Sequence, residues 1–315
     1  MTDDSATTVF VIAGPTASGK SDLALVLAER LGGIVINADS MQVYRDIPIL
    51  TDQPGADTCA RAPHRLYGVL DGADACSAGR WRSMALGEIA IALKAGQAPI
   101  VVGGTGLYLR ALITGLAAIP EIPDEVRAAA RARHGQLGGE AFHRELAARD
   151  ADMAHRLEPG DSQRLIRAWE VLEATGRSLA SWHKQQGKVT QAPALQDIQF
   201  KTILFLPPRP DIYRACDRRF QRMIANGAID EAKALAGRDL DPALPVMKAL
   251  GVKDLLAHIR GEVSLDDATA RAQRRIRNYA KRQMTWFQGQ MMAQMTFKTQ
   301  YSESFNEKIF SYVIK

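Results

Sequence analysis

The sequence predicts an α/β fold: a central parallel sheet carrying a phosphate-binding loop, with a helical subdomain inserted into the chain. Three observations predict it. The stretch Gly14-Pro-Thr-Ala-Ser-Gly-Lys-Ser21 lies between the apolar run Val9–Ala13 and the helical run Asp22–Glu29, the strand–loop–helix setting that a G-x-x-x-x-G-K-[ST] motif needs. Short continuous apolar runs rich in β-branched residues recur at 33–37, 99–102 and 200–206, the texture of parallel strands covered on both faces. Between about 121 and 183 such runs vanish, and arginine-rich helical segments replace them. The expected division is a core of residues 1–117 and 193–315 with an insertion at 118–192.

In chain order, Val9–Ala13 is the first strand. Gly14 and Gly19 let the next loop curl its N–H groups inward, and the helix beginning near Lys20 adds the positive end of its dipole. Lys20 can reach a terminal phosphate, and the Ser21 hydroxyl can hold Mg²⁺. The second strand, 33–37, runs into Ala38-Asp39-Ser40-Met41-Gln42-Val43-Tyr44-Arg45. This puts an acid just past the carboxyl end of a parallel strand, where such sheets bind ligands. Residues 63–70 read as a short third strand. Trp81 to Lys94 is helical, with Trp81, Met84, Ala85, Ile89 and Leu93 on one face. Pro99–Val102 is a strand that ends in Gly103-Gly104-Thr105-Gly106, followed by a helix from Leu107. In the insertion, Pro120 and Pro123 mark entry, and Gly138-Gly139 and Pro159-Gly160 mark turns. The Gln-rich 185–196 segment reads as a loop, 200–206 as a last core strand, and Asp211–Leu235 and Leu265–Gln288 as long helices. Residues 291–315 have weak periodicity and yield no element.

Composition narrows the function classes. A net charge of +5 permits nucleic acid as a partner without demanding it. The three cysteines, Cys59, Cys76 and Cys216, have neither metal spacing nor a disulfide framework, so a reducing cytoplasm is expected. The polar, acidic start is unlike a signal peptide, and no apolar run approaches membrane-spanning length. Nothing demands more than a monomer.

The loop calls for a phosphorylated ligand without naming it. The strand at Ile100 ends in glycines rather than a Mg²⁺-holding acid, and no N-K-x-D occurs, so an ordinary GTPase or motor ATPase fits poorly. Asp39 has three readings: a Mg²⁺ partner for Ser21, a general base facing a substrate nucleophile, or a cap on the following turn. Thr105 can bond a phosphate, orient a partner of that base, or satisfy its own loop. Ten arginines and no lysine lie between Arg110 and Arg177. The 265–288 helix puts Arg271, Arg274, Arg275 and Arg282 on one face. Tyr279, Trp286 and Phe287 interleave with these cations, a pattern suited to unpaired RNA bases unless the face is simply solvated.

Five motifs, GPTASGKS, DSMQVYR, GGTGLYLRAL, DSQRLIRAWEVLEATG and YAKRQMTWF, stand in this order and resemble the tRNA dimethylallyltransferase (tRNA isopentenyltransferase) family over residues 9–288. The resemblance implies a P-loop NTPase-like core with a helical insertion. The implied reaction is transfer of a dimethylallyl group from dimethylallyl diphosphate to N6 of adenosine 37, beside the anticodon of tRNA, with Mg²⁺ as cofactor. By the same resemblance Asp39 is the base, Thr105 a contact at the reacting centre, and Gly14, Pro15, Thr16, Ala17, Ser18, Gly19, Lys20, Ser21 and Arg219 hold the diphosphate. Asp39, Ser40, Met41, Gln42, Thr105, Arg127, Gln163, Arg164, Leu165, Ile166, Arg167, Lys248 and Lys253 are the implied tRNA contacts. The chain departs from the family at Ala215, where an arginine is usual, and at Leu250-Gly251-Val252-Lys253, where the third residue is usually Tyr. Its tail is also unlike the family's. Two other readings share the loop: an isopentenyltransferase acting on free adenine nucleotides, and a kinase-like ATP-binding RNA protein. A small acceptor would need neither the arginine-rich insertion nor the basic helix.

Overall fold

The computed structural model describes residues 7–185 and 198–313. The chain divides into two units, one of Met1–Ile113 with Ala194–Lys315 and one of Thr114–Pro193.

The first unit holds six parallel strands: β1 (Thr7–Ala13), β2 (Ile34–Asn37), β3 (His64–Arg65), β4 (Pro99–Gly103), β5 (Ile198–Phe205) and β6 (Met295–Phe297). Their order across the sheet is β3-β2-β4-β1-β5-β6. β1 is central, with Ile12 opposite both Val102 of β4 and Ile203 of β5. All four residues of β2 and all five of β4 are buried, which is why they read as unbroken apolar runs. One face packs on Trp81, Ile89, Phe220 and Phe287, the other on Leu23, Leu27, Ile309 and Val313. The carboxyl ends of β1, β2 and β4 lead into the phosphate loop, the Asp39 segment and the glycine loop, and this common edge positions the site.

The elements differ from the sequence expectation in three places. The third strand shrinks to His64–Arg65, and Leu70 makes only an isolated bridge to Tyr44. The single helix expected over 211–235 is two, Arg209–Ala225 and Ala228–Ala236, because Gly227 turns left-handed at φ 100°. The tail is structured: β6 extends the sheet beyond β5, and the Asn306–Val313 helix buries Ile309 and Val313. The expected 185–196 loop falls almost wholly outside the described residues.

The second unit is helical among its described residues: Asp124–Arg149 with a left-handed break at Gly138, Ala151–Ala154, Ser162–Thr175 and Leu179–Gln185. Phe142, Leu146, Leu165 and Trp169 form its core, with the Phe142 and Trp169 rings 5.1 Å apart. Polarity outside and apolar spacing inside make its helices amphipathic.

Candidate active site

The loop after β1 ends in Gly19 at φ 82°, which caps the Lys20–Leu31 helix in a left-handed conformation. Its carbonyls have donors: Lys20 Nζ bonds Pro15 O at 3.2 Å. One amide is already spoken for, since Thr16 N donates to Gln283 Oε1 at 2.8 Å. The Thr16 hydroxyl accepts from Arg219, which also reaches Asp52 at 3.5 Å. Thr16 therefore ties the loop to Gln283 and holds Arg219 against it. The Ser18 hydroxyl is fully buried and has no hydrogen-bond partner in the protein. An orphaned donor inside such a loop fits an anionic oxygen.

Asn37 shapes the second loop. It is fully buried at the end of β2, accepts from Asp39 N at 2.7 Å, and donates to Asp39 O and Leu66 O, both at 3.0 Å. Asp39 Oδ1 then accepts from Met41 N at 2.9 Å. The turn-cap reading is thus correct for one carboxylate oxygen, and capping orients the other. The third loop comes equally close: a Cβ on Gly103 would lie 2.2 Å from Ala38 O, so only glycine lets the strand ends meet. Thr105 Oγ1 accepts from Ser40 N at 2.9 Å and lies 3.3 Å from Ser40 Oγ. Thr105 locks the Asp39–Ser40 turn.

Gln283 joins the first loop to the third. Besides accepting from Thr16 N it donates to Gly104 O at 2.8 Å, and it is 6% exposed. Its neighbour one turn earlier, Tyr279, lines the same site; burial and the Asp39 charge push its phenol above the ordinary range. Gln283→Met would leave a buried amide and a buried carbonyl unpaired. The expected loss is about 2–4 kcal/mol of stability by chemical denaturation, with a rise in the KM for the phosphorylated substrate.

These loops enclose a cavity of about 310 Å³ lined by Thr16, Lys20, Ser21 and Arg219 and by Asp39, Ser40, Met41 and Gln42, with Tyr279 and Arg282 from the long helix. Lys20 faces this cavity but its ammonium is enclosed. Desolvation lowers its pKa to about 8, against the opposing pull of Asp39 and helped by Arg219. An anion placed there would restore the charge.

A family model described as IPP transferase matches residues 42–290, and one described as isopentenyl transferase matches residues 7–67. The chain belongs to the IPP transferase family. It is 55% identical over 289 residues to a tRNA dimethylallyltransferase of Rhodospirillum centenum, covering 92% of this chain and 91% of that one. A tRNA dimethylallyltransferase of Paramagnetospirillum magneticum is 51% identical, covering 96% and 95%. Among solved structures, the tRNA isopentenylpyrophosphate transferase of Bacillus halodurans aligns with a TM-score of 0.70 and 30% identity, covering 98% of this chain and 96% of that one. A eukaryotic dimethylallyltransferase acting on tRNA aligns with a TM-score of 0.79 and 25% identity, covering 98% and 78%.

The IPP transferase match takes in Thr105, Arg219 and Gln283, and the shorter match takes in the phosphate loop and Asp39. The other expected contacts are shared between the two units. In the insertion, Arg127 Nε donates to Ile122 O at 3.1 Å. Gln163 and Arg164 are exposed, whereas Leu165 is fully buried in the insertion's core, so its side chain packs and does not face a ligand. Arg164 pairs with Asp161 and Arg167 with Glu170, each at 3.3 Å. Lys248 lines the cavity; Lys253, further along the chain, is exposed, while Val252 is buried in the core. Ala215 lines a neighbouring cavity, and Arg214 pairs with Asp211.

The basic helix needs correction. Arg275 pairs with Asp254 at 3.2 Å and Arg277 with Asp217 at 2.6 Å. Phe287 is fully buried, and Trp286 fills the space where a Cβ on Gly106 would sit. Only Tyr279 of the three aromatics opens into the cavity. Asn37, Asp52 and Gln283 went unread in the sequence as site residues. The i, i+4 spacing of Tyr279 and Gln283 was the available signal, since it puts both on one helical face.

Proposed function

We infer that this chain is a tRNA dimethylallyltransferase, which transfers the dimethylallyl group of dimethylallyl diphosphate to N6 of adenosine 37 and releases diphosphate. One observation carries the reading: the phosphate loop and the Asp39 carboxylate line the same cavity. An exocyclic adenine amine is a weak nucleophile because its lone pair is delocalised into the ring, so it needs a base as the C–N bond forms. The leaving diphosphate gathers negative charge, which loop amides, Lys20 and Arg219 would stabilise; Lys20 and Arg219 line the cavity. The loop holds a leaving group, and no phosphoryl group moves. The adenine must leave its stack to enter the cavity, where Tyr279, Met41 and Leu250 supply apolar surface.

Mg²⁺ fits these residues. Ser21 offers a hydroxyl and Asp52 a carboxylate to the same cavity. No cluster of three His, Cys, Asp or Glu side chains able to hold a metal exists among the described residues. Sparse protein ligation with the rest from substrate phosphate is how Mg²⁺ is commonly held, and the bound ion would neutralise charge on the leaving diphosphate.

The enzyme is proposed to act as a monomer in the cytoplasm. No helix among the described residues is long and apolar enough to cross a membrane, and Cys59, Cys76 and Cys216 are free thiols. Incubation with labelled dimethylallyl diphosphate should label tRNA and leave AMP unlabelled. Label entering AMP in preference would favour the free-nucleotide reading, and ATP turnover without prenyl transfer would favour the kinase-like one.

The insertion is proposed as a tRNA grip. Arg164→Ala with Arg167→Ala should weaken tRNA binding and lower the salt slope by about one to two. The smaller value is expected because both guanidiniums already have acidic partners. An unchanged slope would remove the insertion from the RNA contact.

A further inference from the structure

A loop that turns its amides inward to hold an anion must turn carbonyls outward, and those carbonyls need donors of their own. Here two of the donors come from the far end of the chain. Gln300 Nε2 donates to Ala17 O at 2.8 Å, and Tyr301 N donates to Ser18 O at 3.0 Å. Ala17 sits at φ 62°, a left-handed conformation that a residue with a side chain keeps only where its surroundings over-determine it. Gly19 leaves no gap on the same side, since a Cβ there would lie 2.8 Å from Tyr301 Cβ.

The segment that supplies these bonds is itself anchored. β6 pairs with β5, and Leu206 N donates to Phe297 O at 2.7 Å. The Tyr301 hydroxyl donates to Asn306 Oδ1 at 2.7 Å, and its ring meets Phe205 edge-on at 6.1 Å. Ile309 and Val313 are buried in one cluster with Leu23, Ala24 and Leu27 of the helix that follows the loop. The family match ends at residue 290, so this strap lies beyond it.

We propose that Gln300 and Tyr301 are positioning residues of the diphosphate site: the C-terminal strap pins the outward carbonyls of the loop and thereby keeps its amides aimed at the leaving group. The proposal rests on the reading of the loop as a diphosphate cradle. Both residues line a cavity of about 330 Å³ on the loop's flank with Arg218, Arg219 and Arg222, and neither lines the Asp39 cavity. Their loss should therefore act on the diphosphate and spare the nucleobase.

The test uses the full chain with Gln300→Met, which keeps length and bulk but cannot donate, and Gln300→Ala as a second truncation. Gln288→Met is the control, the same replacement at an exposed glutamine that lines neither cavity. Binding of inorganic pyrophosphate is measured by calorimetry, the KM values for dimethylallyl diphosphate and tRNA by steady-state assay, and the fold by circular dichroism melting. Gln300→Met and Gln300→Ala should weaken pyrophosphate binding and raise the dimethylallyl diphosphate KM about three- to ten-fold, the factor one hydrogen bond commands. The KM for tRNA should stay within two-fold, and Gln288→Met should match the unaltered chain. Unchanged pyrophosphate affinity in a folded Gln300 variant, or an equal rise in the KM for tRNA, would overturn the proposal. Gln300-dependent pyrophosphate binding in a chain that transfers no prenyl group would refute the proposed function and leave the strap standing.

Discussion

Asp39→Asn should lower the single-turnover rate of prenyl transfer about 10²- to 10⁴-fold, the usual range for loss of general-base help, with little change in either KM. Asparagine is the informative replacement. It keeps an oxygen to accept from Met41 N, a bond of 2.9 Å in the native turn, so the loop retains its shape while the proton acceptor is lost. Asn37 and Thr105 hold the flanking backbone independently of the carboxylate, through Asp39 N at 2.7 Å and Ser40 N at 2.9 Å. A collapse of the turn is therefore not expected. Raising Mg²⁺ separates the two chemical roles of this acid. If Asp39 served mainly as a metal ligand, high Mg²⁺ would restore much of the rate in the Asn variant. If it is the base, added metal does nothing. A loss below ten-fold would dismiss the base assignment.

Lys20→Met should cost about 10²- to 10³-fold in kcat/KM for dimethylallyl diphosphate, the scale seen when one preorganised donor to a developing anion is removed. Affinity for tRNA should stay within two-fold, because Lys20 sits on the loop side of the cavity. A pH signature accompanies it. Enclosure holds the Lys20 pKa in the free protein at about 8, below the ordinary lysine value, so the charged form dominates below that pH and the neutral form above it. The anion binds the charged form. In the unaltered chain kcat/KM for the diphosphate should therefore fall as pH rises through about 8, and Lys20→Met should lack this limb. Equal losses in diphosphate and tRNA binding would contradict the division of labour.

Much of this site was legible because its signals are local. A strand, a glycine loop and a helix adjoin in sequence, so Gly14–Ser21 declares its conformation. Asp39 and Thr105 follow from the same logic, each placed by the end of a buried strand. What stayed hidden depends on contacts between distant segments. Gln283 looks like one polar residue on a basic helix until packing buries it between two loops, 267 positions from the amide it receives. Gln300 and Tyr301 lie in a tail whose periodicity is weak, because β6 is only three residues long and gains its order from β5. Helical spacing found the basic helix but not the acidic partners of Arg277 and Arg275, Asp217 and Asp254, which come from other helices. Aromatic residues among arginines suggested stacking, yet Phe287 serves the core.

The most direct test is a crystal structure of the chain with pyrophosphate and an anticodon stem-loop. The account predicts pyrophosphate on the loop amides from Ser18 to Ser21 with Lys20 and Arg219 upon it. It also predicts the Asp39 carboxylate within about 3 Å of the adenine N6, direct or through one water. Pyrophosphate bound away from the loop, or an adenine whose N6 points away from Asp39 with nothing to bridge them, would contradict it.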